Sequence, residues 1–451
     1  MRRITEETVL FISIFKWFVL SSIVGVMVGL STTVFLFLLN QATTFSGRYE
    51  HYFLFLPVAL FLSAWITRLA PEASGHGTEK VIEAVHKHSS RIKAAVVPVK
   101  LLTTIITLAS GGAAGKEGPC AQIGGGLASV FATSLKFSPA DRKKLVICGI
   151  SAGFASVFGT PIAGAIFGIE VLFVGGIMYE ILLPSFIAGV TAYQISSYLG
   201  ASYFYHEIPF IPAFSELFFF KVVFSGIFFG ICSLFLIEIM TYLKQVEEKI
   251  PFQAPVKGFL GGVVLVLLTL AVSTRYLGLG LETIEGLLKG QVANWWDFLI
   301  KMLFTGITLS FGGSGGIVTP VFFIGAAAGS FYGHILGLDP ATFAAIGMVS
   351  LLAGAANTPI AASILAVELF GPKVAPYAAV ACVTSFLMTG HRSVYPSQVL
   401  AIMKSSSFKE GIGRDVEDMQ AEFVLRKRSL TRLLLSLTKK FFEKIGKGGK
   451  E

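Results

Sequence analysis

Apolar residues run along this chain in long blocks. They do not follow the two-residue alternation of a half-buried strand. The blocks lie near 9–39, 52–70, 94–110, 119–135, 144–175, 177–200, 217–243, 255–276, 296–311, 318–337 and 341–390. A helix needs about 20 residues to cross the hydrocarbon layer, and some blocks are long enough for two. The pattern predicts more than about ten membrane segments, several of them short or broken by Gly and Pro. Helices are expected, because a membrane-spanning barrel would alternate apolar and polar positions.

Composition sharpens this to an integral membrane protein. Of 451 residues, 54% are hydrophobic and 14% charged, with a mean hydropathy of +0.74. Soluble domains average about 25% charged residues. The start, MRRITEETVLF, has no short apolar region ending in a small-residue cleavage site, so no cleaved signal peptide is expected. Cys120, Cys148, Cys232 and Cys382 sit at irregular spacing in apolar surroundings and read as small core residues. The net charge of +9 is gathered partly in the polar end of the chain, with RKR at 426–428 and Lys439, Lys440, Lys444, Lys447 and Lys450. Positive flanks favour the cytoplasmic side, which puts the C-terminus inside the cell. Residues 423–445 read as a solvated basic tail, with an amphipathic helix on an anionic leaflet as the alternative. This tail is too short for a regulatory domain. No basic folded domain suited to nucleic acid is visible.

The chain also repeats itself. TLASGGAAGKEGPCAQIG (107–124) aligns with TLSFGGSGGIVTPVFFIG (308–325) at an offset of 201. GTPIAGAIFGIEVLF (159–173) aligns with NTPIAASILAVELFG (357–371) at an offset of 198. Two matched blocks in the same order mark two halves of one ancestral unit, about 10–205 and 215–405, followed by the tail at 406–451. Internal repeats with Gly/Pro-interrupted apolar segments at matching places are the mark of transporter folds, whose sites form where the repeats meet.

Both glycine-rich segments read as a loop followed by a helix start. Pro119 and Pro320 suit a first turn, and the preceding glycines expose backbone amides. Free N–H groups and the positive end of the helix dipole bind anions without a full positive charge. Two such ends facing each other would hold one. Glu117 stands at one of them, and a carboxylate fits the place an anion would take. An ionisable residue inside the membrane is a functional candidate; the structural alternative is a Glu buried against Lys116. A phosphate-cradling loop is excluded, since that motif needs Gly at 110 and Ser or Thr at 117, where the chain has Ser110 and Glu117. An intramembrane enzyme would need a nucleophile and base or a metal cluster. The seven histidines form no metal-spaced motif, and no metal or cofactor is expected.

Four motifs resemble those of the CLC chloride channels and transporters. GKEGP (115–119) resembles the family's helix-start motif and GGIVTP (315–320) its second filter motif. SGHGTEKV (74–81) falls where the first, GSGIPE, is expected, and SVYPS (393–397) resembles the segment with the filter tyrosine. The resemblance covers about residues 10 to 405. It implies an all-α CLC-type fold of two inverted halves with broken helices meeting at a central anion site. It further implies a homodimer in the cell (inner) membrane with one chloride pathway per subunit. By resemblance Glu117 is the gating residue. Anion contacts fall at His76, Gly77, Lys116, Gly118, Ile317, Val318 and Tyr395.

Three departures from the family pattern stand out. His76 replaces the filter serine; its imidazole can donate in the hydroxyl's place, or point away and leave the backbone to line the pore. Thr78, Glu79 and Lys80 replace Ile, Pro and Glu, which predicts a less regular helix start after Gly77. Val171 stands where proton-coupled members carry an internal glutamate, beside a retained Glu170. Valine carries no proton, so the sequence reads first as a chloride channel gated by Glu117 and dependent on pH and voltage. The alternative is a proton-coupled chloride or fluoride antiporter with Glu117 as outer proton carrier. Glu170 and Glu368 align between the halves and read mainly as structural carboxylates that cap buried backbone groups.

Overall fold

The structure is a computed structural model. It describes residues 2–203, 205–206, 208, 215–405, 408–409, 411–418 and 422–423. The basic stretch at 426–428 and nearly all of the 423–445 segment lie outside the described residues.

Two sets of eight helices follow one another. The first comprises α1 (Arg2–Ser46), α2 (Leu56–Thr67), α3 (Gly77–Lys87), α4 (Val96–Ala109), α5 (Glu117–Ser134), α6 (Pro139–Phe158), α7 (Pro161–Glu170) and α8 (Leu182–Tyr198). The second comprises α9 (Glu216–Lys249), α10 (Ala254–Ala271), α11 (Leu281–Leu288), α12 (Asp297–Ser310), α13 (Val318–Ile335), α14 (Pro340–Ala356), α15 (Pro359–Phe370) and α16 (Ala375–Thr389). Each helix of one set has a counterpart in the other. Among the described residues four helices are long and apolar enough to cross a membrane alone, in α1, α9, α10 and α13. With 45 residues, α1 is about 68 Å long at 1.5 Å per residue, far more than the hydrocarbon layer is thick. Phe11, Phe15 and Phe37 on α1, and Phe220 and Phe224 on α9, stay exposed on the outer surface, as a lipid-facing side requires.

Local chemistry sets the breaks. Ser138 caps α6 by accepting from the Asp141 N–H at 3.1 Å, and Pro139 opens the helix. Asp339 caps α14 in the same way, accepting from the Thr342 N–H at 2.8 Å ahead of Pro340. The two helices end alike. Gly159 (φ +76°) and Asn357 (φ +57°) take the left-handed conformation, and a Thr-Pro pair then starts α7 and α15. The apolar blocks at 144–175 and 341–390 are therefore each cut into shorter helices. Within each half the cut pieces pack tightly: Gly124 of α5 faces Gly149 of α6, and Gly325 of α13 faces Gly347 of α14, leaving no room for a Cβ.

The halves grip each other through reciprocal contacts. Gly115 and Gly316 exchange both backbone hydrogen bonds, each 2.6 Å. Thr107 Oγ1 accepts from the Ser314 N–H (3.0 Å), and Thr308 Oγ1 accepts from the Ala113 N–H (3.1 Å). The Glu170 carboxylate caps the start of α15, accepting from the Ile360 and Ala361 N–H groups at 3.1 and 2.7 Å. Glu368 caps the start of α7, accepting from Ile162 and Ala163 at 3.1 and 2.8 Å. Equivalent residues that exchange equivalent contacts are the signature of a two-fold relation, here between inverted halves. The capping role read for both glutamates matches this geometry.

Beyond α16 the chain returns to the core. Val399–Leu400 (β2) pairs in parallel with Phe173–Val174 (β1). Residues 413–417 bond back onto 396–400, and Asp415 pairs with Lys87 at the end of α3 at 2.6 Å. Residues 413–417 are thus docked on this side of the molecule.

Replacing Glu170 with Ala strands two buried N–H groups at a helix start. Hydrogen bonds to a charged group are worth about 1.5–3 kcal/mol each. Glu170→Ala is expected to destabilise the protein by about 3 kcal/mol and Glu170→Gln by clearly less, read as the unfolding midpoint of the detergent-purified protein.

Candidate functional site

The first residue of α5 is Glu117, and its buried side chain reaches the start of α13. One carboxylate oxygen accepts from the Thr319 N–H at 3.2 Å, and the other accepts from the Thr319 hydroxyl. An acid from one half is therefore seated on the helix start of the other, where the dipole favours negative charge. Its hydrogen-bonding partner is Thr319, not the neighbouring Lys116. The α13 amide that the carboxylate holds is that of Thr319, directly after Ile317 and Val318 at the helix start. The Ile317 carbonyl is already engaged, accepting from the Val321 N–H at 3.0 Å. Thr319 was not singled out from the sequence, although it stands opposite Gly118 in the repeat at the same offset of 201.

A third helix start joins these two. A Cβ at Gly118 would stand 3.0 Å from Gly316 Cα, 3.3 Å from the Thr78 hydroxyl and 3.5 Å from the Gly77 nitrogen. His76 also forms an isolated parallel bridge with Gly315. The starts of α3, α5 and α13 thus converge within van der Waals reach. Contrary to the irregular start expected after Gly77, α3 is continuous from Gly77. Glu79 is an acid in its first turn, which a helix N-terminus favours.

Two buried lysines brace the loops before the helix starts. Lys100 donates to the Ala73 and Gly75 carbonyls. Lys301 donates to the Tyr276 and Gly278 carbonyls at 3.0 and 2.9 Å. Both are fully buried. The signal for them was present, since they lie in apolar blocks at the repeat offset of 201. Lys100 binds the carbonyl immediately before His76 and so fixes that loop.

His76 faces Tyr395, with ring centroids 5.7 Å apart; it does not point away. Among the described residues His76 Nδ1 has no hydrogen-bond partner, and the buried Thr78 and Tyr395 hydroxyls reach no partner but each other. Buried polar groups left short of partners are costly unless a ligand or water uses them. The Tyr395 loop is fixed from below. Its N–H donates to Ser393 Oγ at 2.9 Å, Ser393 donates to Gln398 at 2.6 Å, and Gln398 donates to the Val171 and Ala356 carbonyls at 2.8 Å each. Val171 itself is fully buried and takes part only through this carbonyl.

Two cavities flank the site. One, of about 210 Å³, is lined by Lys116, Glu117, Tyr203 and Thr319. The other, of about 520 Å³, is lined by His76, Glu79, Lys80, Lys244 and Glu417 and opens on the side of the docked C-terminal segment. Glu117 lies in the wall of the first and His76 in the wall of the second.

The sequence model of the family described as voltage gated chloride channel matches residues 58–390. The chain belongs to this CLC family. The chloride/fluoride channel protein of Pseudomonas syringae pv. tomato is 34% identical over 390 residues, covering 85% of this chain and 86% of that protein. The voltage-gated ClC-type chloride channel ClcB of Escherichia coli is 29% identical over 360 residues, covering 75% and 84%. Among solved structures, a CLC-type fluoride/proton antiporter superposes with a TM-score of 0.81 at 28% identity, covering 86% of this chain and 98% of that one. A slow cyanobacterial Cl−/H+ antiporter shares the fold, with a TM-score of 0.72 at 22% identity over 83% and 94%. The CLC fold and a membrane-embedded anion-transporting family are therefore shown for this chain.

The seat makes a steric prediction. A Cβ at Gly115 would stand 2.5 Å from a Glu117 carboxylate oxygen and 3.0 Å from the Thr319 nitrogen. Gly115→Ala is expected to unseat the carboxylate and raise anion efflux from liposomes by about tenfold, equivalent to about 1.4 kcal/mol against the seated state. With Glu117→Ala in the background, the same substitution should add nothing. Unchanged efflux from the single variant would mean that the seated carboxylate is not the block.

Proposed function

We propose that this chain exchanges a halide, chloride or fluoride, for protons across the membrane, with Glu117 as both the movable block and the outer proton carrier. The observation that carries this is the Glu117 carboxylate seated on the α13 start, in the wall of the smaller cavity, a seat that would equally suit an anion. An ionised carboxylate competes with the anion for one set of N–H donors. A protonated one has lost the charge that holds it there and leaves. Occupancy by an anion and protonation of Glu117 are thereby linked, and exchange needs this link. The likeness at 28% identity to a fluoride/proton antiporter supports coupling.

In this reading Gly118, Thr319, Ile317 and Val318 shape the outer anion position. His76, Gly77 and Tyr395 donate to the central one. Lys116 lends positive charge to the mouth of the outer cavity. The assembly is a homodimer with one pathway per subunit, in the cell membrane. The docked C-terminal segment and the basic tail face the cytoplasm, so the larger cavity is the inner one.

A second reading is passive conduction, which the sequence placed first. Val171 favours it, because the position of the family's internal glutamate holds a fully buried aliphatic side chain. The Pseudomonas relative also carries the name of a channel.

The measurement is a reversal potential in reconstituted liposomes under opposing anion and proton gradients, with chloride and then fluoride. Exchange predicts that the potential follows both ions. A potential set by the anion alone sinks the exchange reading and leaves the channel. Glu117→Gln is expected to lower proton movement by about a hundredfold, the scale for removing a positioned proton-transfer group. Anion movement should continue and lose its pH dependence.

A further inference from the structure

The exchange reading leaves a gap. Protons must reach Glu117 from the inner cavity, and Val171 cannot carry them. Another carboxylate is better placed. Glu79 lies in the first turn of α3, three residues after His76, and lines the inner cavity. Among the described carboxylates lining that cavity, Glu79 is the buried one, with 9% of its surface exposed. One of its oxygens accepts from the N–H and hydroxyl of Ser397, two residues beyond Tyr395. The other oxygen is buried and has no hydrogen-bond partner among the described residues. Leaving a buried carboxylate oxygen unbonded costs free energy, so a structural cap alone does not account for it. Glu170 and Glu368 show what a cap looks like here: both oxygens of each are used.

The surroundings fit a group that gains and loses a proton. The other charged groups facing the cavity from α3 are Lys80 and Glu83, paired at 2.9 Å, and Lys87, paired with Asp415 at 2.6 Å. From α9 come Lys244 and Glu247, the latter paired with Lys257 at 2.9 Å. Glu417 lies at the exposed rim. Among the described residues no cation forms an ion pair with Glu79; Lys80, next to it in the chain, attracts it but is paired with Glu83. Thr78 precedes Glu79 in the chain, and its hydroxyl lies 3.3 Å from the Cβ position of Gly118, the residue after Glu117, while His76 faces Tyr395 nearby.

We propose that Glu79 is the inner proton-transfer residue, in place of the family position that Val171 occupies. A proton from water in the inner cavity binds the free Glu79 oxygen and gives the neutral acid. It then passes along the space lined by His76, Thr78 and Tyr395 to the Glu117 carboxylate, and Glu79 returns to its anionic form. This rests on the exchange reading, and its test is separable from that of Glu117.

The test uses the full chain in liposomes and reads the ratio of anion to proton flux under an outward chloride gradient, repeated with fluoride. The wild type is expected to drive protons uphill. Glu79→Gln keeps the bonds to Ser397 but not the titrating group, and its anion-to-proton flux ratio should rise by about tenfold or more. Glu79→Asp should restore part of the coupling. Ser397→Ala removes the hydroxyl bond and keeps the backbone N–H bond and the carboxylate, and its ratio should stay near that of the wild type. A Glu79→Gln protein that couples like the wild type overturns the proposal while the exchange reading stands. So does a Ser397→Ala protein that loses coupling to the same extent, because the role of Glu79 would then be to hold the loop. A wild type that moves no protons uphill removes the exchange reading itself, and this inference with it.

Discussion

Helix starts buried inside an apolar layer need negative partners, and this fold supplies them from the opposite half. Breaking a membrane helix leaves N–H groups that lipid cannot satisfy. Glu170 answers for α15, Glu368 for α7, and Glu117 for α13. The first two use both oxygens on two successive amides and line neither of the two cavities. Glu117 holds the amide and the hydroxyl of a single residue, Thr319, and lies in a cavity wall. The interaction is the same, but Glu117 alone of the three borders one of the two cavities, and the proposed movable block falls there.

The sequence carried much of this. The long apolar blocks marked almost every membrane helix, and the repeat fixed the pairing of α5 with α13 and of α7 with α15. Glu117, Tyr395 and His76 were picked out from motifs, and the structure brings them to one place. The short helices α3 and α11 lay outside the apolar blocks. Both are amphipathic, with Thr78, Glu79 and Lys80 in one and Glu282 and Glu285 in the other, so average hydropathy passes over them. Lys100 and Lys301 were hidden for the opposite reason: each is a single charge inside an apolar run, and its partners are backbone carbonyls that no motif encodes. Thr319 was overlooked because a contact between halves depends on which amide faces the seat, and the repeat alone does not say that.

Glu79 illustrates a different limit. In the sequence it registers only as a departure from Ile-Pro-Glu that weakens a helix start. In the structure the acid suits the first turn of α3 and is folded under the Tyr395 loop by Ser397, more than three hundred residues away in the chain. Local propensity and long-range packing agree on its backbone position. Neither accounts for the carboxylate oxygen that stays unbonded. That residue of unexplained cost separates a functional carboxylate from a capping one.

The internal symmetry shows where function resides. Positions kept in both halves form the frame: Thr107 with Thr308, Gly115 with Gly316, Lys100 with Lys301, Glu170 with Glu368. Each of these pairs makes equivalent contacts on the two sides of the axis. The residues with chemistry to offer sit where the halves differ. Glu117 aligns with Val318 and Lys116 with Ile317, while Tyr395 belongs to the loop after α16. A strictly symmetric pathway would have two equal ends and no direction-dependent gate. An acid at one helix start and a valine at the equivalent start give the two helix ends different chemistry while the frame around them stays the same. The halves hold each other through what they share, and the proposed action on the anion falls where they differ.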